Sequence, residues 1–474
     1  MAQKIIGRER EQKILRECVD SGRPEFVAVY GRRRIGKTYL VRNFFKGKFD
    51  FYMTGSFNAT IKEQLGDFHH QLEEYSGRKW PVATSWREAF RQLQEYLSGI
   101  RSRKIIVFID ELPWLDTPRS RFISALEMFW NGWADWNDRM KLIVCGSATT
   151  WMTHKLIGNK GGLHNRVTRQ LYLAPFNLHD TELLLRSVGV EWNRHQIVEA
   201  YMAVGGVPFY LSKMDRSQSV SQNIDRLFFH DKAELKTEYN VLFRSLFKDS
   251  AIYREVVDLM AGKAEGMTRE ELLHGLSMDG GGKLSEVLEN LVTCDFIREY
   301  QGFGKKVRGR LYQLTDLFTL FYLKQVRPNP GAPEDYWSVR IDSPSHRAWA
   351  GYAFEQVCLN HVSQIKRALG ISGIQSTVSA WRGVEDRKPV AQIDLVIDRR
   401  DDVVNLCEMK YSLHPYDITP SYLEKLVERR EIFRRLTGTR KALHLTMVTL
   451  YGLQHNAQWG MIQNEVDADQ LFAE

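Results

Sequence analysis

Cysteine is scarce in this 474-residue chain: Cys18, Cys145, Cys294, Cys358 and Cys407 are spread far apart. No two of them stand at the close spacing of a zinc site, and such a scattered set makes no disulfide framework. Free, buried thiols in a reducing compartment are the expectation. Long apolar runs are missing too. Nothing approaches the ~18 residues that cross a bilayer, and the opening MAQKIIGRER lacks the apolar core of a secretory leader. A cytoplasmic protein without a membrane span is expected. Internal repeats and low-complexity tracts are absent as well.

What is present is globular and basic. Hydrophobic residues make up 43%, charged residues 26%, and the formal net charge is +8. That charge admits nucleic acid as a partner without requiring it. The length suggests about three domains. Residues 25–175 alternate helical stretches with the strand candidates EFVAVYG, KFDFYMTG, KIIVFID, KLIVCGSA and TRQLYLAPF. Near-continuous apolar runs of this kind predict parallel strands covered on both faces, in an α/β fold. Residues 177–235 read as helices. The stretch 236–325 offers helices, a Gly280-Gly281-Gly282 turn, another helix and a hairpin over 296–314, the order of a winged helix. Pro328, Pro330, Pro333 and Pro344 mark 326–345 as a linker. A final domain, 346–474, opens with the helix AWAGYAFEQVCLNHV and runs through strands to a helix over 420–436. The resulting division is 1–176, 177–235, 236–325, 326–345 and 346–474.

The strand EFVAVY leads directly into Gly31-Arg32-Arg33-Arg34-Ile35-Gly36-Lys37-Thr38, with Tyr39 next, matching G-x-x-x-x-G-K-T. The N–H groups of such a loop, and the helix N-terminus behind it, wrap a β-phosphate. Lys37 reaches the β- and γ-phosphates, and the Thr38 hydroxyl ligates Mg²⁺. Three consecutive arginines would repel one another around an empty loop, which also speaks for an anion there. At 105–111, IIVFIDE ends an apolar strand in two carboxylates. Asp110 is expected beside the magnesium, with Glu111 placed to activate water, because phosphoryl transfer needs positioning and charge stabilisation above all. Binding of ATP or GTP with Mg²⁺ is therefore predicted. Ser147, closing LIVCGSA, is the candidate γ-phosphate sensor, against the plainer reading of a tight Gly-Ser-Ala turn. Arg166 and Arg169 in HNRVTRQ are candidates for an arginine finger toward a neighbouring subunit, which would imply a homo-oligomer.

IIGRERE at 5–11, GRRRIGKT, IDELPWL at 109–115 and GGVPFYL at 205–211 together resemble the archaeal-type ATPases of the AAA+/STAND group. The resemblance covers roughly 1–325. It implies ATP as the nucleotide, Gly7 and Arg8 near the base, and Pro208 in a helical lid close to the nucleotide. It also implies a winged helix at 236–325. Leu112 stands where Phe is more usual. The hairpin GFGKKVRGR brings Lys305, Lys306, Arg308 and Arg310 together, a set suited to gripping phosphates. The preceding helix KLSEVLENLVTCD exposes Glu286 and Glu289 and offers few base-reading side chains, so any DNA contact is expected to be non-specific.

Near the end of the chain, VAQIDLVIDRRDDVVNLCEMK reads as two strands around a charged turn. Glu408 and Lys410 project to one face, Met409 to the other. Asp394 lies on the paired strand with Gln392 two residues earlier, and Glu355 lies upstream in the helix GYAFEQVC. This E…D…E-x-K set is the pattern of the PD-(D/E)xK nuclease fold. Asp394 and Glu408 would hold Mg²⁺, while Lys410 would orient the attacking water and steady the phosphorane charge. The ATPase resemblance supports the assignment, since many relatives carry a restriction-endonuclease-like C-terminal domain. They often have Glu where this chain has Gln392. The expected function is an ATP-regulated, Mg²⁺-dependent DNA nuclease of defence or repair. The alternative is an ATP-driven switch or assembly scaffold whose C-terminal domain binds nucleic acid or protein without cleaving. An intact Asp394/Glu408/Lys410 set favours the first, and the acidic helix at 283–295 the second.

Overall fold

The computed structural model describes all residues except 1–3, 102–103, 160, 248, 279–280, 305–309 and 387. The chain divides into two compact units, Met1–Ala174 with Ser245–Lys248, and Pro175–Arg244 with Asp249–Glu474.

The first unit is built on five strands: β1 (Glu25–Tyr30), β2 (Phe51–Thr54), β3 (Ile105–Asp110), β4 (Met140–Gly146) and β5 (Arg169–Tyr172). All four pairings are parallel, in the order β2-β3-β4-β1-β5, the sheet typical of P-loop NTPases. The apolar runs read from the sequence overlap these strands; β4 starts one residue earlier, at Met140, and β5 ends at Tyr172, before the predicted LAPF. Parallel strands need both faces covered, and two apolar clusters do this. One gathers Phe26, Phe51, Phe68, Trp86, Phe122 and Trp130 on one face. The other gathers Val27, Val29, Leu40, Phe108 and Leu171 on the other. Alternate residues of β1 and β3 thus belong to opposite clusters, and the C-terminal ends of both strands open onto the loops that carry the chemistry.

The second unit begins with helices and continues into a three-stranded antiparallel sheet, β6 (Met267–Thr268), β7 (Ile297–Tyr300) and β8 (Leu311–Leu314), in the order β6-β8-β7. The helix Gly282–Thr293 precedes the β7–β8 hairpin and exposes Glu286 and Glu289. Lys305, Lys306 and Arg308, expected to form a basic wing, lie outside the described residues. Arg310, the fourth member of that set, is ion-paired with Glu299.

The last sheet is mixed: β9 (Ser376–Glu385), β10 (Lys388–Arg399), β11 (Val403–Lys410), β12 (Ala442–Thr449) and β13 (Asn464–Asp467). β9, β10 and β11 pair antiparallel, and β11, β12 and β13 pair parallel. Two helices flank it, Pro344–Asn360 and Pro420–Thr437. The second starts at Thr419, whose side chain accepts from Tyr422 N, has Pro420 in its first turn, and stops at Gly438 with φ 67°.

Two boundaries differ from the sequence reading. The segment 326–345, expected to be a linker, is packed: Trp337 is buried between Phe321 and Trp349, and Trp337 N and Ser338 N both donate to Asp225. Its prolines shape a folded strap. The β7–β8 hairpin is also joined to the C-terminal sheet. Phe303 N donates to Ala380 O at 3.1 Å, and the Phe303 ring packs on Phe433 within that sheet's apolar cluster.

Candidate functional site

Two groups of residues predicted from the sequence are assembled by the fold, one in each unit.

The first lies at the C-terminal ends of β1, β3 and β4. Gly31 (φ 140°), Arg34 (φ 73°) and Gly36 (φ 88°) turn the backbone where β1 ends, and the helix Lys37–Phe44 starts immediately after. A Cβ on Gly31 would collide with Leu173 O and with the Ile35 side chain, so only glycine fits that approach. Ile35 is buried beneath the loop, and Arg32 is buried with it. Lys37 Nζ donates to Gly31 O and Arg32 O, both at 3.0 Å, and so spans the loop. Burial pushes its ammonium below the usual lysine range, against the pull of Glu111 and Asp110. Thr38 Oγ1 donates to Asp110 Oδ2 at 2.7 Å, which puts the two magnesium candidates in direct contact. Burial raises the Asp110 carboxyl, partly offset by that hydrogen bond.

Glu111 has φ 45°, a left-handed backbone that a non-glycine residue adopts only where the surroundings hold it. Its Oε2 accepts from Ser147 N at 3.0 Å and from Ser147 Oγ at 2.8 Å. Ser147 is therefore in contact with the candidate base. Gly7 (φ 63°) and Arg8 (φ 62°) form a turn whose guanidinium donates to Ala174 O at 2.6 Å, one residue beyond the Leu173 that abuts Gly31. Tyr39 is exposed, its hydroxyl on Lys4 O. Arg33 lies in the loop, half-buried. Arg166 is ion-paired with Asp135 at 3.0 Å, and Arg169 opens β5 beside Val27, toward the opposite end of β1 from the loop. Pro208 is the first residue of the short helix Pro208–Leu211 in the second unit.

The second group sits on the C-terminal sheet. The β10–β11 register pairs Leu395 with Cys407, so Asp394 and Glu408 each stand one residue beyond that pair. The β9–β10 pairing slips between Ile393 and Val396, a bulge that re-aims Asp394. Gln392 Nε2 donates to Asp394 Oδ1 at 3.1 Å, and Lys410 Nζ lies 2.7 Å from Glu408 Oε1. Glu355, on the helix Pro344–Asn360, accepts from Gln313 Nε2 of β8 at 3.1 Å. Burial and the nearby Asp394 raise the Glu355 carboxyl well above its usual range, and burial and Glu408 raise Asp394. For Glu408 burial acts in the same direction, but Lys410 and Arg429 overcome it and hold the carboxylate low. All five predicted residues thus converge.

Three partners were not anticipated from the sequence: Gln313, Tyr422 and Arg429. Tyr422 OH donates to Glu408 Oε1 at 2.9 Å, and Arg429 Nη1 donates to Oε2 at 3.0 Å. A signal for two of them existed. Tyr422, Leu426, Arg429 and Phe433 follow helical spacing along one face. Leu426 and Phe433 are buried, and the polar members of the same stripe both end on Glu408. Gln313 had no such signal, because its meeting with Glu355 depends on how the β6–β8 sheet packs on the helix Pro344–Asn360 within the second unit.

The donors present fit a hard divalent ion. Burial and the neighbouring Glu408 raise the Asp394 carboxyl, and a cation shared by the two carboxylates would relieve that. Among the described residues no group of three or more His, Cys, Asp or Glu is arranged to hold a metal. Asp394 and Glu408 are the two carboxylates that the paired strands β10 and β11 bring together. Among the described residues no helix is long and apolar enough to cross a membrane, and all five cysteines are buried and free.

Residues 5–214 match the family described as an ATPase domain predominantly from Archaea. An uncharacterized protein, MJECL04, of Methanocaldococcus jannaschii is 24% identical over 367 residues, which is 77% of this chain and 78% of that protein. Among solved structures, the Walker-type ATPase PABY2304 of Pyrococcus abyssi covers 67% of this chain and 96% of its own, with 19% identity and TM-score 0.48. The Aeropyrum pernix ORC2 protein, in ADPNP and ADP complexes, covers 68% and 94%, with 14% identity and TM-score 0.43.

Proposed function

We propose that this chain, an ATPase with its ATPase domain within residues 5–214, carries a second, Mg²⁺-dependent centre in 346–474 that cleaves DNA. In the first site Lys37 would neutralise the β/γ-phosphates, the N–H groups of Gly31–Thr38 would cradle them, and Thr38 with Asp110 would hold Mg²⁺. Glu111, held by Ser147, draws the proton from the attacking water. Arg8 and Gly7 border the same loop and contact the base. Arg166 is offered to a neighbouring copy as a finger.

The observation that carries the second centre is the convergence of Gln392, Asp394, Glu355, Glu408 and Lys410 on one sheet face and one helix. Asp394 and Glu408 would hold the divalent ion, which supplies Lewis-acid stabilisation to the phosphodiester. Lys410 orients the attacking water and balances the charge that builds on phosphorus. Gln392 donates to Asp394 Oδ1 and would steady that carboxylate as a ligand. The domain is read as restriction-endonuclease-like, and the helices and antiparallel sheet at 236–325 as a winged helix whose contact with DNA is backbone-directed. Plasmid, linear duplex, single-stranded DNA and RNA, incubated with full-length protein and Mg²⁺ or Mn²⁺, with and without ATP, test the proposal. Metal-dependent cleavage of DNA is expected, and its absence on every substrate would refute it.

One observation favours the second reading, a switch that binds without cleaving. Both oxygens of Glu408 are already engaged, by Lys410 and Tyr422 on one side and Arg429 on the other. Under that reading the cluster is a structural charge network, and Asp394→Ala leaves metal uptake unchanged.

A further inference from the structure

Glu408 is nine-tenths buried and faces two cations, Lys410 at 2.7 Å and Arg429 at 3.0 Å. A divalent ion placed between Asp394 and Glu408 would meet both. Like charges at such distances in a partly buried site repel by more than thermal energy, so binding of metal requires one cation to leave. Lys410 sits two residues from Glu408 on β11, with its stem directed by the strand and its ammonium near the Tyr422 ring. Lys410 and Arg429 are similarly exposed, at 32% and 35% of their side chains, but Arg429 comes from the flanking helix and not from the strand that carries Glu408. Its guanidinium sits on a long stem with several rotatable bonds, so it can leave Glu408 by side-chain rotation. A guanidinium leaving a carboxylate also has a natural second ligand, because its planar fork matches phosphate as it matches carboxylate.

We propose that Arg429 is a built-in cation that occupies Glu408 until a divalent ion displaces it, and that the freed guanidinium then binds a backbone phosphate of the nucleic acid. The inference rests on reading 346–474 as a metal-dependent domain acting on DNA. It makes metal loading and phosphate capture successive steps of one side chain. It also explains why a polar residue interrupts the buried stripe of the helix Pro420–Thr437 two turns after Tyr422.

The test uses full-length protein and two readouts that need no turnover. Calorimetric titration with MnCl₂, with Asp394→Ala assigning the heat to this site, is expected to show about tenfold tighter Mn²⁺ binding in Arg429→Ala. That factor corresponds to loss of one charge-assisted bond competing for Glu408. Arg429→Met, which keeps the apolar stem, should do the same with an unchanged melting temperature. Affinity for a short DNA duplex, followed by fluorescence anisotropy with Ca²⁺ in place of Mg²⁺, should fall about tenfold in Arg429→Ala, less in Arg429→Lys, and not at all without Ca²⁺. Unchanged or weaker Mn²⁺ binding in both Arg429→Ala and Arg429→Met overturns the displacement. Unchanged DNA affinity in Ca²⁺ overturns the phosphate contact. Failure of the wild-type protein to cleave DNA would remove the nuclease reading through a separate experiment.

Discussion

Replacing Ser147 by alanine isolates how Glu111, the proposed water-activating carboxylate, is held. The hydroxyl donates to Glu111 Oε2 at 2.8 Å, and the Ser147 N–H donates to the same oxygen at 3.0 Å. A hydrogen bond to a charged group contributes about 1.5–3 kcal/mol. Ser147 itself is buried, but Glu111 is only half-buried and keeps the backbone donor, so the lower end applies. A loss of about 1.4 kcal/mol in the transition state slows turnover about tenfold. Steady-state phosphate release by Ser147→Ala should therefore show kcat down about tenfold with KM for ATP nearly unchanged where Ser147 acts through Glu111, whereas a raised KM would mark it as the γ-phosphate sensor. In a Glu111→Gln background the same substitution should cost almost nothing further, since its target is already gone. Wild-type kcat in Ser147→Ala would refute the argument. So would a full, independent tenfold loss on top of Glu111→Gln.

Lys37→Ala should lose nucleotide affinity, whereas Glu111→Gln should bind ATP normally and hydrolyse it slowly; equilibrium binding and phosphate release separate the two, and equal binding defects would refute the assignment. His361 supplies a pH prediction for the second unit. It is fully buried, with Nδ1 on Val357 O at 2.7 Å and Nε2 accepting from Leu178 N at 2.9 Å, and burial brings its imidazole from 6.5 down to about 4. A folded-state value below the unfolded one means the stabilisation is complete above pH 6.5 and is lost as pH falls toward 4. At pH 5 the loss is about 2 kcal/mol. Urea midpoints at pH 7.5 and pH 5.0, compared between wild type and His361→Gln, should show a smaller acid shift in the variant, and equal shifts would contradict the prediction.

The loop and strand end proposed to hold nucleotide were legible as structure because that chemistry uses contiguous residues. Gly31, Gly36, Lys37 and Thr38 must follow one strand, and Asp110 and Glu111 must end another, so motif and position coincide. The parallel strands were equally plain as apolar runs. β9 was not, because Ser376–Glu385 mixes exposed and half-buried positions and has no continuous apolar run. The prolines of 326–345 suggested a linker, while Trp337 and Tyr336, which bury the strap, carry no local sign of what they pack on. Phe303 is similar: a hairpin phenylalanine reveals nothing of Phe433 more than a hundred residues away. At the C-terminal cluster the sequence showed the pattern on one hairpin and one helix. The partners of Glu408 from the flanking helix needed the three-dimensional register, although the polar breaks at Tyr422 and Arg429 in an apolar stripe marked where to look.

The proposed second centre is tested most directly by metal-dependent cleavage in three single variants of the full-length protein. Asp394→Ala, Glu408→Ala and Lys410→Ala are assayed on duplex DNA with Mn²⁺, alongside ATP hydrolysis by the same preparations. Cleavage should be lost in all three and ATPase activity retained, with Mn²⁺ uptake abolished by Asp394→Ala but surviving Lys410→Ala, because an ammonium is no metal ligand. Wild-type Mn²⁺ uptake in Asp394→Ala, or cleavage that persists in all three variants, would contradict the account and leave the cluster around Glu408 as a charge network without chemistry.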